Sequence, residues 1–216
     1  MRKGWTEATL GDVAKLSIGR TPPRRESRYW TDELTNPFCT IADLSTRIVI
    51  PSREGVTEAA IREGRAKLSA KGTLLMSFKL TLGRVGFAGR DLYPNEAIAS
   101  IAAYSSVALD EYLYYLLGFQ DLSAGSGLAV KGVTLNSKSL SEIALLLPPV
   151  IEQRRIVDLM LCIDSYIERL ASTSAEADAG ESLTSAALKL RTALLQELLS
   201  GSHEIPDSYD RFLGAV

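Results

Sequence analysis

The sequence predicts an α+β protein: a mixed globular domain followed by one long C-terminal α-helix that forms an intermolecular antiparallel coiled coil. Between Trp5 and Leu147, apolar runs of strand length alternate irregularly with short helical segments and with loops rich in glycine and proline. That order favours α+β over a doubly wound sheet. From Pro148 onward the chain is almost continuously helix-forming, with apolar residues at helical spacing. We therefore expect a domain over residues 1–147, a helix over 148–201 and a tail over 202–216.

Local punctuation of the sequence predicts the elements of the domain in order. Residues 17–30 must form a loop, because one glycine and two prolines interrupt them. Residues 57–64 predict a short helix that begins at the N-cap residue Thr57 and ends at Gly64. A second short helix is expected over 110–119, and a polar, glycine-rich loop over 123–139. The segments with strand character are residues 38–44, 47–50, 70–78 and 95–103.

The charge of the chain is divided between its two parts. Residues 1–147 carry 18 basic and 15 acidic side chains, whereas residues 148–216 carry 6 and 11, so a net charge of −2 hides a basic domain and an acidic tail. This division weakens the argument against nucleic acid that a whole-chain pI near 5.6 would otherwise make. No apolar run reaches the ~18 residues of a membrane span. Two cysteines are too few for a disulfide framework, which indicates a reducing cytoplasm.

The C-terminal segment carries two amphipathic halves. Apolar residues recur at heptad spacing before residue 172 and again after residue 182. The lapse between them indicates a register change or a kink, with Gly180 as the candidate position. A helix of about 50 residues would be roughly 75 Å long and would need a partner for its apolar stripe. We expect a second copy of the chain to supply that partner; the alternative is a helix that folds back on its own domain. The expected interface residues are Ile156, Leu159, Ile163, Tyr166, Leu170, Leu183, Leu190 and Leu194.

Signatures of catalysis are weak in this sequence. His203 is the only histidine, which leaves little material for a histidine-based triad or a zinc site. Residues 123–128 are rich in glycine and serine, but no Gly-Lys-Ser/Thr follows them as a phosphate-binding loop requires. We therefore expect no catalytic residue, no metal site and no cofactor in this chain.

Three polar loops carry basic residues suited to DNA. Arginine can contact phosphates or pair with guanine edges, and lysine can contact phosphates. Tyr29 and Trp30 follow the first loop and could either pack in the core or lie along the sugar-phosphate surface. The alternative is that these loops form a solvated basic surface that binds no ligand. The candidate DNA-binding residues are Arg20, Thr21, Arg24, Arg25 and Arg28 in the first loop, Lys79, Thr81 and Arg84 in the second, and Lys131 in the third.

A series of short motifs runs in order along nearly the whole chain. The most specific is Pro148-Pro149-x-x-Glu152-Gln153-x-x-Ile156, which enters the long helix after a domain of this length. Together the motifs resemble a specificity (S) subunit of type I restriction–modification systems, in a half-length form with one target recognition domain and one spacer helix. The other motifs are Trp5…Leu10-Gly11-Asp12, Gly19…Thr21-Pro22, Tyr29-Trp30, Ala42-Asp43-Leu44, Gly72-Thr73-Leu74-Leu75-Met76-Ser77, Gly83, Asn95…Ile98, Tyr112-Leu113-Tyr114-Tyr115-Leu116 and Leu198-Leu199-Ser200-Gly201.

The resemblance implies a role in DNA recognition. In that family the recognition domain contacts one half of a split DNA site, and the spacer helix docks methyltransferase (M) subunits, with or without a restriction/translocase (R) subunit. S-adenosylmethionine is then expected on the methyltransferase partner. Full-length members carry two recognition domains and two antiparallel helices, so a homodimer of this chain is expected on an interrupted site in double-stranded DNA. The competing hypothesis is a coiled-coil adaptor that does not bind DNA.

Overall fold

The computed structural model describes residues 4–122, 135–173, 178–206 and 208–209, and within them the expected α+β class is confirmed. Two 3₁₀ turns (Ser27–Tyr29 and Ile41–Asp43) accompany the strands and helices. The strands are β1 (Thr6–Thr9), β2 (Ala14–Ile18), β3 (Trp30–Thr31), β4 (Phe38–Cys39), β5 (Ile48–Val49), β6 (Gly55–Val56), β7 (Leu74–Ser77), β8 (Val85–Ala88), β9 (Tyr93–Pro94), β10 (Ile98–Ala103) and β11 (Ala144–Leu147). The helices are α1 (Leu10–Val13), α2 (Glu58–Arg62), α3 (Asp110–Phe119), α4 (Ser137–Ser141), α5 (Val150–Thr173) and α6 (Asp178–Leu199).

A five-stranded sheet in the order β2-β10-β7-β8-β5 forms the centre of the fold. All four residues of β7 are buried, because the sheet is covered on both faces. Successive strand residues point to opposite faces. Accordingly Leu74 and Met76 join the main core, whereas Leu75 joins a smaller core with Ile98. A third cluster, around Tyr29 and two short strand pairs, holds the segment after β2.

The start of the chain is paired with the strand that precedes the C-terminal helices. β1 runs antiparallel to β11, with Thr6 opposite Leu147. The end of β11 therefore coincides with the boundary expected at residue 147. The C-terminal region is nevertheless continuous with the domain, because Leu195, Leu198 and Ile205 belong to the same main core as β7.

The expectation of one uninterrupted helix over 148–201 is wrong. The region contains α5, the expected long helix, and a separate α6, and Gly180 lies within α6. The guanidinium of Arg191 on α6 pairs with the carboxylate of Asp164 on α5. In one straight helix these residues would lie about 40 Å apart. The two helices therefore run antiparallel as a hairpin within one chain.

No helix in the described part of the chain is both long and apolar enough to cross a membrane.

The apolar stripe of the tail is largely filled by the chain itself. Ile156 is only 1% exposed in the main core, and Leu159, Ile163 and Leu194 pack against that core. These four residues therefore pack within their own chain, and not against a second copy as expected. The alternative of a helix folded back on its own domain fits them better. Three other members of the expected interface remain exposed: Tyr166, Leu183 and Leu190.

A polar network fixes the hairpin against α3. The Tyr115 hydroxyl donates a 2.8 Å hydrogen bond to Asp164, which also accepts from Arg191. Burial, followed by the bond to Asp164, raises the pKa of Tyr115, so its hydroxyl stays protonated and can donate. The guanidinium of Arg47 lies 4.5 Å from the Tyr114 ring centroid and extends this network to the sheet.

Gln153 explains the Glu-Gln motif at the start of α5. Its side chain is fully buried and all of its bonds go to backbone groups. The amide nitrogen donates to the carbonyls of Val107 and Pro148 at 2.9 and 3.0 Å, and the amide oxygen accepts from the Leu109 N–H at 3.0 Å. The side chain thus joins the start of α5 to the segment that leads into α3, and a residue that could not both donate and accept would leave buried backbone groups unpaired.

Spin labels can test whether the hairpin closes within one chain. Ser165 and Lys189 are exposed, and they lie near the level of the Asp164–Arg191 pair. We expect Ser165→Cys/Lys189→Cys, labelled in a Cys162→Ser background, to give a distance below about 20 Å by pulsed electron paramagnetic resonance, since packed helices lie 8–10 Å apart. A continuous helix would give about 36 Å.

Dilution of the labelled protein with unlabelled chain separates the remaining alternatives. A hairpin within one chain keeps the short distance at any dilution, whereas a two-chain coiled coil loses it. The second native thiol should not interfere, because Cys39 is buried and burial raises its pKa to about 12. Loss of the short distance on dilution would contradict the hairpin.

Candidate nucleic-acid interface

Two of the three basic loops leave the same end of the central sheet. Ala99 of β10 lies opposite Ile18, the last residue of β2, and Ile98 lies opposite Ser77, the last residue of β7. The loops that follow β2 and β7 therefore begin two strand positions apart, at a separation of roughly 10 Å. We call the residues at this end, 19–30, 64–65, 78–84 and 94–97, the loop edge. The sequence suggested three loops but gave no information on whether they meet.

The first loop is fixed to the sheet at its start. A Cβ at Gly19 would lie 2.2 Å from the carbonyl oxygens of Pro94 and Asn95, so only glycine fits this approach. The Arg20 backbone N–H donates to the Pro94 carbonyl, and its guanidinium donates to the Gly64 carbonyl at 2.7 Å. Gly64 has a φ of +66°, as expected for the residue that ends α2. The Thr21 hydroxyl donates to Glu96, and this exposed carboxylate was missed at the sequence level.

Arg24 is committed to its own fold. It makes two bonds to the Glu54 carboxylate, at 2.6 and 2.9 Å. Its guanidinium carbon also lies 3.7 Å from the Trp30 ring centroid, a cation–π contact. Trp30 in turn donates to the Pro23 carbonyl and meets Phe38 edge to face. Trp30 is therefore a half-buried anchor of the loop.

Arg28 is also occupied within the chain. Its guanidinium pairs with Glu63 at 2.9 Å and with Glu26 at 3.1 Å. The hydroxyl of Tyr29, which is buried, donates to Glu63. That bond, reinforced by Arg28, holds the pKa of Glu63 below its usual range. This anchor is therefore complete at neutral pH and is lost only as the pH falls through the lowered Glu63 value.

Several arginines of the loop edge line a cleft. A cavity of about 640 Å³ lies between the first loop and the end of α2, and Arg20, Arg24 and Arg65 are among its lining residues. Arg25 is exposed and has no hydrogen-bond or ion-pair partner among the residues that the structure describes. Arg65 was not a sequence-level candidate, because only the left-handed turn at Gly64 brings it beside a loop more than forty residues earlier.

The second loop is short and rigid. The Ser77 hydroxyl donates to the Thr81 carbonyl and accepts from the Arg84 N–H, bridging the two sides of the loop. The ammonium of Lys79 lies 5.3 Å from the Phe78 ring centroid. Arg84 and Thr81 are exposed. This loop therefore presents two cations from a braced backbone.

The third loop can be followed only at its end. Lys131, its candidate contact residue, lies outside the described residues. The described chain resumes at Leu135, whose N–H donates to the Phe78 carbonyl at 3.1 Å. The next residue, Asn136, caps α4 by accepting from the Ser139 N–H at 2.8 Å. The third loop therefore ends beside the second.

The loop edge presents donor groups. No group of three or more histidine, cysteine, aspartate or glutamate residues that could hold a metal occurs in the described ranges. Guanidinium, ammonium and hydroxyl groups lie there beside the exposed carboxylates of Glu26 and Glu96, which partner two of them. Such a surface can bind an anionic polymer and can donate to base edges.

The comparison with known families decides what kind of domain carries this edge. The profile of the type I restriction modification DNA specificity domain matches residues 2–176, which is most of the chain. The chain belongs to this family. The chain is 28% identical to the MjaIX specificity subunit of Methanocaldococcus jannaschii over 176 residues, covering 77% of this chain and 39% of that subunit. It is 25% identical to the HindI specificity subunit of Haemophilus influenzae over 211 residues, covering 92% and 42%.

Solved structures of specificity subunits share the fold. The HsdS subunit from Thermoanaerobacter tengcongensis matches with a TM-score of 0.60 and 24% identity, covering 94% of this chain and 46% of that one. The S subunit from M. genitalium matches with a TM-score of 0.55 and 17% identity, covering 78% of this chain and 41% of that one. The chain thus spans less than half the length of these relatives.

Substitution of Arg24 and Arg25 separates the structural cations from the available ones. We expect Arg24→Ala to lower the free energy of unfolding by about 1 kcal/mol, because it removes a largely exposed ion pair and a cation–π contact. Arg25→Ala removes the same charge from the next position and should change stability by less than about 0.5 kcal/mol. Urea denaturation measures both, and equal losses would refute this division of roles.

Proposed function

We propose that this specificity domain binds double-stranded DNA through the loop edge and recognises one part of an interrupted target site. The observation that carries the proposal is the convergence of the first and second loops, with the end of the third, at one end of the central sheet. The names of the family and of its relatives support DNA as the ligand.

Different side chains at the loop edge have different roles in this proposal. Arg20 and Arg65, which line the cleft, and the exposed Arg25 of the first loop would contact phosphates, which set position and affinity. Arg84, Thr81 and Lys79 extend from the braced second loop toward base edges. Arg24 and Arg28 hold the first loop through carboxylates and aromatic rings, and they contribute to binding mainly by preserving its shape.

The chemistry of modification belongs, in this proposal, to partner subunits. The chain would supply recognition without catalysis, and methyltransferase subunits carrying S-adenosylmethionine would dock beside the helical hairpin. An R subunit would join where the system includes one.

We further propose that the hairpin pairs with a second copy of the chain. Leu183 and Leu190 lie seven residues apart on α6 and are exposed, and Leu190 is 71% exposed. Residues at this spacing share a helix face. Tyr166, at the matching level of α5, is also exposed. The curated relatives are more than twice as long as the matched segment, which supports a second unit alongside this one.

Loss of single arginines from the first loop should weaken DNA binding. We expect Arg20→Ala and Arg25→Ala each to reduce affinity for duplex DNA and to reduce the slope of log affinity against log salt by about 1, as loss of one phosphate contact does. Fluorescence anisotropy at several salt concentrations measures both quantities, with duplexes selected from a random library.

A matched control comes from the opposite end of the sheet. Lys71 is exposed and precedes β7, so it lies beyond the strand end remote from the loop edge. Lys71→Ala removes the same charge and should leave affinity and salt slope unchanged. Selection that yields no preferred sequence, even with a methyltransferase partner present, would support the adaptor hypothesis instead.

Polar substitution on the exposed helix face should abolish pairing. We expect Leu183→Gln/Leu190→Gln to shift the chain from dimer to monomer in sedimentation equilibrium, while circular dichroism stays unchanged because both side chains are exposed. Leu188→Gln, at an exposed position on the same helix that does not share the seven-residue spacing, is the control. A dimer that persists in the double variant would refute this interface.

A further inference from the structure

Leu80 occupies the tip of the second loop in an unfavourable state. It has a φ of +64° and is the one non-glycine residue with positive φ in the described part of the chain. It is also 81% exposed, the largest exposure among the exposed large apolar residues of that part. L-residues with a Cβ avoid this conformation, and a leucine side chain gains nothing from water.

The surrounding hydrogen bonds hold Leu80 in this state. The Thr81 N–H donates to the Lys79 carbonyl at 2.7 Å, which closes a three-residue turn centred on Leu80. Turns of this kind with a positive central φ are rare and strained. Below the turn, Ser77 bonds to the backbone of Gly83 and Arg84, at 3.0 and 2.9 Å. The fold therefore fixes an apolar side chain in solvent, although glycine or asparagine would fit the turn with less strain.

The basic surroundings of this tip favour DNA as its ligand. Lys79 precedes Leu80 and Arg84 follows it, and residues 78–84 contain no acidic side chain. The loop leaves the same sheet end as the loop that carries Arg20 and Arg25. A single apolar point between cations is complementary to a DNA groove, where phosphates line both walls. In the major groove the apolar feature of a base edge is the 5-methyl group of a pyrimidine.

We propose that Leu80 is a specificity-determining residue that contacts the 5-methyl group of a pyrimidine, which is thymine in unmodified DNA. This inference rests on the proposed DNA-binding function and specifies one of its base contacts. The strained turn serves this contact, because it holds the Leu80 side chain exposed at the loop tip while the hydrogen bonds of Ser77 brace the loop below it.

Replacement of thymine by uracil, which lacks the 5-methyl group, tests the contact without altering the protein. The full chain is used to select a duplex from a random library, and each thymine of the selected site is then replaced in turn. Removal of one buried methyl group should weaken binding about four-fold. We expect this loss at one thymine position for the wild-type chain.

Variants of Leu80 then assign that loss to its side chain. Asparagine tolerates the left-handed conformation but is polar. The Leu80→Asn variant should therefore keep the stability of the fold and bind the thymine and uracil duplexes equally. Leu80→Met is apolar and should retain the preference. In a further pair of duplexes, with cytosine or 5-methylcytosine at that position, only the methyl group differs. The wild-type chain should bind the 5-methylcytosine duplex more tightly.

The outcomes separate this inference from the function on which it rests. Sequence-selective binding with no Leu80-dependent methyl effect overturns the inference and leaves the proposed function intact, and it would point to a protein partner for the tip. Absence of any sequence-selective binding overturns both. A methyl effect that survives in Leu80→Asn assigns the contact to another residue and also overturns the inference.

Discussion

The register of β10 between β2 and β7 is the constraint on which the rest of the molecule depends. Because Ala99 lies opposite Ile18 and Ile98 lies opposite Ser77, two loops that are far apart in the sequence start at the same end of one sheet. A slip of one residue would exchange the two faces of β10 and move Ile98 and Ile101 into the wrong cores. Burial of both sheet faces therefore fixes the register, and the register in turn fixes the positions of the candidate DNA contacts.

Within the loop edge, charge is divided between structure and recognition. Arg24 and Arg28 are neutralised by Glu54, Glu26 and Glu63 and stacked on aromatic rings, so they shape the first loop. Fewer cations are left to contact phosphates than the composition of the loop indicates. A single domain with few such contacts binds weakly, and joining two units raises the overall affinity through effective concentration. This argument favours an assembly with two recognition domains.

The C-terminal helices show how one apolar pattern can be satisfied in two ways. A heptad stripe specifies that a helix needs a partner but does not specify which chain supplies it. Here α6 turns back on α5, and the buried stripe joins the main core through Leu195 and Leu198. The Asp164–Arg191 pair and Tyr115 add directional bonds to that packing. Among the residues expected at the interface, Tyr166, Leu183 and Leu190 stay exposed and can meet another molecule.

The sequence by itself determined the α+β class, the short helix that Thr57 caps and the resemblance to a DNA specificity subunit. Of the loop predicted over residues 17–30, the part between β2 and β3 is irregular apart from one 3₁₀ turn, whereas its two ends belong to those strands. These features depend on local propensity and on short motifs, which neighbouring residues encode. Tertiary structure alone decided that Arg24 is paired with Glu54, that Arg65 lines the cleft, that Leu80 is held at positive φ and that the tail forms a hairpin. Each of these depends on contacts between residues far apart in the chain, and no local pattern records which distant segment will supply the partner.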